Sequence, residues 1–292
     1  MSAPRRRPRV PHGLVTPGRL VPVLPLGWLA AWLLAPLCIT VVYAVAHAEF
    51  AGVTFGFTLT NFRQALSGFY LSIFLRTLRF AAIGTCCCLI VGLPLAYFIA
   101  RKAGRLRTPL IVLLLIPFWT SFLIRTLAWR TLLADDGPIW RTLHWFRLIH
   151  GPLGVLDTQT SVMIGIVYGY LPLMTIPLVV ALERVPVTTG EASKDLGAGR
   201  FRTFFGVTLP QARPGIVAGL LLTFVPMTGE YVIPALLGGD KGILLGNVIA
   251  DQYLLGQNFP LGSAMAVLVL LVIGTVILIV VRTSRAFGEV PT

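Results

Sequence analysis

The chain has 292 residues, 56% of them hydrophobic and only 12% charged, with a formal net charge of +13. That balance excludes an ordinary soluble domain and points to a polytopic membrane protein. The positive charge does not indicate nucleic acid, because the Lys and Arg residues lie between apolar stretches rather than on one face.

A hydrocarbon core about 30 Å thick takes roughly 20 helical residues. Six stretches carry enough apolar sequence: residues 22–47, 71–100, 109–133, 160–182, 214–237 and 261–281. The expected fold class is therefore all-α, a six-helix membrane domain over residues 22–281. A basic tail (1–21) precedes it, and a short tail (282–292) follows. The first stretch is expected to stay in place, because its apolar run is longer than the short core of a cleavable signal. Cys38 and the run Cys86-Cys87-Cys88 lie inside apolar stretches, read as membrane-facing or packing residues with neither disulfide nor zinc spacing. Pro36, Pro94, Pro117, Pro172, Pro177, Pro226 and Pro234 fall within spans, and each can kink its helix. Gly165/Gly169 and Gly215/Gly219 have the spacing of close helix contacts, or of chance in a Gly-rich helix.

Basic residues set the orientation. Arg5, Arg6, Arg7, Arg9 and Arg19 precede the first span, and Arg101, Lys102, Arg105 and Arg107 follow the second. Arg184, Lys194, Arg200, Arg202 and Arg213 follow the fourth, and Arg282 and Arg285 the sixth. These sixteen lie on one side; the opposite loops hold four, Arg63, Arg141, Arg147 and Lys241. Both termini and the 183–213 loop are expected on the cytoplasmic side. Arg76, Arg79 and Arg130 lie near span ends and can snorkel, whereas Arg125 is deeper.

Few residues carry chemistry. No Gly-x-x-x-x-Gly-Lys-Ser/Thr loop is present, so the chain does not bind ATP by that device. No nucleophile–base set or metal constellation is visible, which argues against an intramembrane enzyme. Asp135-Asp136 reads as a solvated turn, and His144 and His150 as interfacial residues off metal spacing. Glu230, in Met227-Thr-Gly-Glu-Tyr-Val-Ile-Pro234, is the one acidic residue well inside a span. Charge at mid-bilayer costs about 2.5–3.5 kcal/mol on insertion scales, so Glu230 should face a cavity or a partner. Two readings are open, a carboxylate lining a transport path or an ion pair with an intramembrane arginine such as Arg125. Trp119, in Phe118-Trp-Thr-Ser-Phe-Leu-Ile-Arg125, reads as an interfacial anchor or as a ring facing an organic cation. Tyr168 and Tyr170 carry the same ambiguity.

The longest polar break runs over 183–214. It reads as two short helices and a turn. Thr188 and Glu191 have capping-box spacing, and Gly197 and Gly199 suit a reversal with positive φ. Phe201, Phe204, Phe205 and Thr208 fall at i, i+3, i+4 and i+7, an aromatic stripe that needs a burial partner.

This break resembles the cytoplasmic signature of permeases of binding-protein-dependent ABC importers, here Glu191-Ala192-Ser193, Gly197, Val207 and Leu209-Pro210. Ser193 stands for the second Ala and Val207 for Ile. The stretches 95–101, 115–125, 170–174, 195–204 and 229–234 are similar to the spermidine/putrescine type. The resemblance implies a permease subunit rather than an enzyme, with no cofactor on this chain and ATP and Mg on a partner ATPase. It implies two permeases, two ATPases and an extracytoplasmic binding protein in the bacterial inner membrane, in contact with lipid. Glu191, Ala192, Gly197, Phe201, Leu209 and Pro210 would couple to the ATPase. Glu230, Trp119, Tyr170 and Arg125 would line the path. The substrate expected is a polyamine or related organic cation; import of another organic solute, or ATP-independent transport, is the alternative.

Overall fold

The computed structural model describes residues 23–49 and 52–286. The tail 1–21, with Arg5, Arg6, Arg7, Arg9 and Arg19, lies outside the described residues, as does 287–292. The fold is all-α apart from a three-residue hairpin, β1 (His47–Glu49) with β2 (Gly52–Thr54), paired antiparallel as His47↔Thr54 and Glu49↔Gly52.

Helix α1 (Val23–Ala44) precedes the hairpin. Its last carbonyls have no intrahelical donor, and buried Asn61 on α2 (Thr60–Ala65) supplies one, its amide reaching Ala44 O at 3.0 Å and Ala46 O at 2.8 Å. Helix α3 (Gly68–Arg101) and helix α7 (Gln159–Arg184) form the centre with α11 (Arg213–Thr228). Their shared core includes Phe80, Cys88, Ile166, Met174, Leu178 and Met227. Helix α14 (Phe259–Ala286) packs on α1, and α1 otherwise exposes Trp28, Leu29, Trp32 and Leu33, the surface of a lipid-facing helix. The cysteine expectation fits: Cys88 is buried against Val167 O, and Cys38 and Cys86 are exposed.

The expected count of six helices is not confirmed among the described residues. Among the described residues, four helices are long and apolar enough to cross a membrane unaided, Pro25–Ala44, Gly68–Arg101, Gln159–Arg184 and Phe259–Thr283. The third expected span is bent by 95° between Gly104–Trp119 and Phe122–Trp145. It comprises α4 (Arg107–Leu115), a 3₁₀ turn (Ile116–Trp119), α5 (Phe122–Leu133) and α6 (Pro138–Trp145). The fifth stops as α11 after 16 residues and resumes as α12 (Val232–Leu237). Pro234 explains the stop: it has no N–H for the carbonyl four residues earlier, that of Glu230, and its ring would clash there. Pro94, Pro172 and Pro177, by contrast, are accommodated inside α3 and α7. A further helix, α13 (Leu245–Leu254), occupies what the sequence reads as loop and packs on α14 and α3.

The glycine pairs divide. A Cβ on Gly215 would lie 2.1 Å from Ala181 Cβ and 2.6 Å from Pro177 O, and one on Gly219 2.8 Å from Met174 Sδ. These glycines let α11 lie directly on α7. Gly165 is similarly tight against Leu237, but Gly169 has ordinary room, 3.7 Å from Ile233. Gly215→Val is expected to destabilise by about 1–3 kcal/mol, the cost of overpacking, and Gly169→Ala to be tolerated. Thermal unfolding of the purified complex checks both; equal midpoints would remove the close-contact role.

Candidate functional site

Glu230 sits where α11 and α12 are broken apart, only 5% exposed. One carboxylate oxygen accepts from the N–H groups of Val232 (2.9 Å) and Ile233 (3.2 Å). The other accepts a short hydrogen bond from the Tyr170 hydroxyl of α7. The break thus creates its own ligand: the first amides of α12 lack intrahelical acceptors, and the carboxylate satisfies two of them while its charge faces the positive helix end. Arg125 does not pair with it. Its guanidinium donates to Pro117 O at 2.6 Å and lies 5.0 Å from the Phe118 and 5.4 Å from the Phe122 ring centroids. Of the two readings of Glu230, the ion pair with Arg125 is therefore absent.

Arg125 instead clasps the bend of the third span. Thr120 is extended, and the Pro117 oxygen also accepts from the Thr120 N–H at 3.4 Å and the Thr120 hydroxyl at 2.7 Å. Arg130 does comparable work, donating to Leu236 O of α12 at 3.2 Å. Arg125→Leu should cost about 1.5 kcal/mol, one charge-assisted hydrogen bond, and Arg125→Lys less. Unfolding midpoints of the two variants check this; an Arg125→Leu complex as stable as wild type would contradict it. Trp119 is 79% exposed and makes neither a hydrogen bond nor a ring contact to Tyr170 or Glu230. Tyr168 packs edge-on against Trp129, away from the carboxylate.

Two residues behind the break were missed in the sequence. A Cβ on Gly246 would lie 2.6 Å from Glu230 O, so α13 passes directly over the break. Asn247 donates to Tyr231 O at 2.8 Å and accepts from Leu244 N at 3.1 Å. The signal was present: Leu245, Val248 and Ile249 have helical spacing.

The second candidate region is the polar break. It folds as α8 (Val187–Asp195), α9 (Arg200–Thr203), a π-helical turn (Phe204–Thr208) and α10 (Leu209–Gln211). The Thr188–Glu191 capping box does not form. Pro186 is the N-cap, and no side chain caps the helix. Proline fixes φ for helix entry, which starts α8 one residue before Thr188 and places that residue inside the first turn. Gly197 has φ +84°, as expected, and Gly199 has φ −65° as the N-cap of α9. Gly197 N donates to Lys194 O (2.8 Å) and Ala198 N to Ser193 O (3.1 Å), the paired bonds of a glycine-terminated helix. The hydroxyls of Ser193 and Thr203 lie 3.3 Å apart and join α8 to α9.

The aromatic stripe is split. Phe204 turns inward onto Tyr97 of α3 (5.2 Å, edge-on), and Thr208, at the end of the π-helical turn, is buried. Phe201 and Phe205 remain 82% and 60% exposed, beside exposed Val187 and Leu196. Glu191 and Ala192 are exposed, and Leu209 and Pro210 half-buried. Besides Phe204, Arg101 of α3 ties the start of this unit to the membrane helices, donating to Val185 O at 2.6 Å, and Arg107 of α4 pairs with Glu183 at the end of α7 at 2.5 Å. In the Asp135-Asp136 turn, Asp135 accepts from Gly154 N across the loop, and His144 stacks on Trp140.

The family described as binding-protein-dependent transport system inner membrane component matches residues 52–287. The spermidine/putrescine transport system permease protein PotB of Salmonella typhimurium (strain LT2) is 36% identical over 90% of this chain and 92% of its own. PotB of Escherichia coli K12 is 35% identical over 90% and 96%. The inner membrane ABC transporter permease protein YdcU of E. coli K12 is 32% identical over 79% and 77%. Among solved structures, a bacterial alginate ABC transporter bound to its alginate-loaded periplasmic protein superposes with TM-score 0.74 at 16% identity, over 94% of this chain and 95% of that one. The inward-facing MetNI methionine ABC transporter gives 0.57 at 20%, over 74% and 95%. With the family matched across most of its length, and with apolar helices built around a broken span, this chain belongs to the binding-protein-dependent transport system inner membrane components.

Proposed function

We propose that this chain is one of two permease subunits of an ATP-driven importer of polyamines, the substrate named for its PotB relatives, with Glu230 in the path. The observation that carries the proposal is the buried Glu230 carboxylate at the α11–α12 break, held by a hydroxyl and backbone amides rather than by a cation. An incoming ammonium group can take over the oxygen that Tyr170 occupies, gaining a charge-assisted bond in place of a neutral one. Trp119 and Arg125 act around the path, Trp119 through its exposed ring and Arg125 by fixing the bend that presents it.

The proposed orientation puts both termini and the 183–213 loop in the cytoplasm, within the domain limits 1–21, 22–281 and 282–292. The partners are a second permease, an ATPase dimer carrying ATP and Mg, an extracytoplasmic binding protein and membrane lipid. Val187, Leu196, Phe201 and Phe205 form the apolar surface that the ATPase would cover, with Glu191, Ala192 and Gly197 in the same unit. Leu209 and Pro210 lead from that unit to α11. Closure of the ATPases would displace α8–α10. The Phe204–Tyr97 and Arg101–Val185 contacts would then carry the displacement into α3. Nucleotide drives the cycle by differing in affinity between the two states.

The test is ATP hydrolysis by the assembled complex in liposomes with its binding protein. Polyamine-loaded binding protein should stimulate hydrolysis above the unloaded form. Stimulation by another solute, with polyamines inert, would overturn the substrate and leave the family membership standing. Solute uptake by this chain without any ATPase would overturn the ATP-driven mechanism.

A further inference from the structure

Away from Glu230, a cavity of about 420 Å³ opens beside the first turns of α3, lined by Phe69, Ser72, Ile73, Arg76, Arg79, Asp240 and Ile243. It presents both signs of charge on two walls. Arg76 and Arg79 come from α3, and Asp240 from the 3₁₀ turn Gly239–Gly242 that follows α12. Among the described residues, no ion pair joins Asp240 to either arginine. Arg76 Nε is shielded from solvent and has no hydrogen-bond acceptor, an under-satisfied state that is rare for a buried donor.

The position along α3 matters. Arg76 lies eight residues into a 34-residue helix. At 1.5 Å per residue α3 is about 51 Å long, which exceeds the roughly 30 Å hydrocarbon core by about 10 Å at each end. Arg76, about 12 Å from the helix start, then falls near the hydrocarbon boundary, where lipid phosphates begin. The adjoining surface of α3 is apolar and exposed at Phe69 and Leu75.

We propose that this cavity holds the headgroup of an aminophospholipid, its phosphate on Arg76 and Arg79, its ammonium on Asp240 and its acyl chains along Phe69 and the exposed side of α3. A purely anionic occupant, whether a phosphatidylglycerol headgroup or an acidic side chain of the second permease, would satisfy the arginines and leave Asp240 facing like charge. A zwitterion satisfies both walls, and guanidinium groups suit a phosphate. The leaflet is the one at the α3 start, the outer one in the orientation proposed above.

Native mass spectrometry of the assembled complex, released from nanodiscs of mixed phosphatidylethanolamine, phosphatidylglycerol and phosphatidylcholine, tests this. Wild type should retain phosphatidylethanolamine in preference to the other two, and R76Q/R79Q should lose it. D240N, a change on an exposed turn, should keep a bound lipid but reduce the preference over phosphatidylglycerol roughly tenfold. Unchanged retention in R76Q/R79Q, or an unchanged preference in D240N, would overturn the proposal. So would cross-linking of R76C to the second permease in a complex whose wild type retains no lipid.

Discussion

Glu230→Gln in the assembled importer is expected to lower polyamine transport about 10- to 100-fold, the loss of one charge-assisted hydrogen bond of roughly 1.5–3 kcal/mol. The substitution is chosen to spare the fold. Glutamine keeps an oxygen for the amides of Val232 and Ile233, which the carboxylate holds at 2.9 and 3.2 Å. What it removes is the negative charge. Glu230→Ala, in contrast, removes the acceptor as well, and should add a loss of stability of about 1 kcal/mol, the usual cost of deleting a helix cap. Tyr170→Phe frees one oxygen without touching the charge, so transport should survive it better than Glu230→Gln. The measurement is binding-protein-dependent uptake of labelled spermidine into proteoliposomes, with unfolding midpoints in parallel. Should Glu230→Gln transport at the wild-type rate while Glu230→Ala unfolds early, the carboxylate is a cap for α12 and nothing more.

Gly197→Val is expected to leave the complex assembled and ATP hydrolysis active while transport falls away. Gly197 has φ +84°, and a Cβ placed on it meets nothing within 4 Å. Space is therefore not the constraint; backbone conformation is. A non-glycine residue in the left-handed region costs about 1–2 kcal/mol, and asparagine is among the few that tolerate it. Valine should resolve the strain by leaving that region, which breaks the Gly197–Lys194 and Ala198–Ser193 bonds and re-aims Leu196 and α9. Gly197→Asn should retain most coupling. The ratio of solute transported to ATP hydrolysed separates the cases. A normal ratio for Gly197→Val would show that this turn does not position the docking surface.

Sequence and structure share the work unequally. The all-α membrane class, the basic hairpin after the second span and the Gly197 turn were all legible in the chain, because apolar length, charge placement and a positive φ are local properties. So was the singularity of Glu230, since an acidic residue inside an apolar stretch needs only its neighbours to be conspicuous. The prolines were expected to kink their spans, but which spans would break was not legible. The third span bends after Pro117 and the fifth breaks before Pro234, whereas Pro94, Pro172 and Pro177 stay inside α3 and α7. Arg125 and Thr120 serve the Pro117 carbonyl, and the Glu230 carboxylate serves α12. The aromatic stripe was legible, but not which rings the protein itself covers: Phe204 found Tyr97 across 107 residues of sequence, and Phe201 and Phe205 stayed exposed.

What the sequence determined by itself, then, was the set of elements, the family signature and the residues whose chemistry is out of place in a membrane. What only the tertiary structure decided was their pairing. Glu230 could have met Arg125 or Tyr170, since both are polar and both lie within spans. Packing of α7 on α11, permitted at Gly215 and Gly219, goes with Tyr170 at the break. The 95° bend of the third span turned Arg125 back on the Pro117 carbonyl. Such choices depend on contacts between residues tens of positions apart, and no local pattern encodes which of two available partners a buried charge will take.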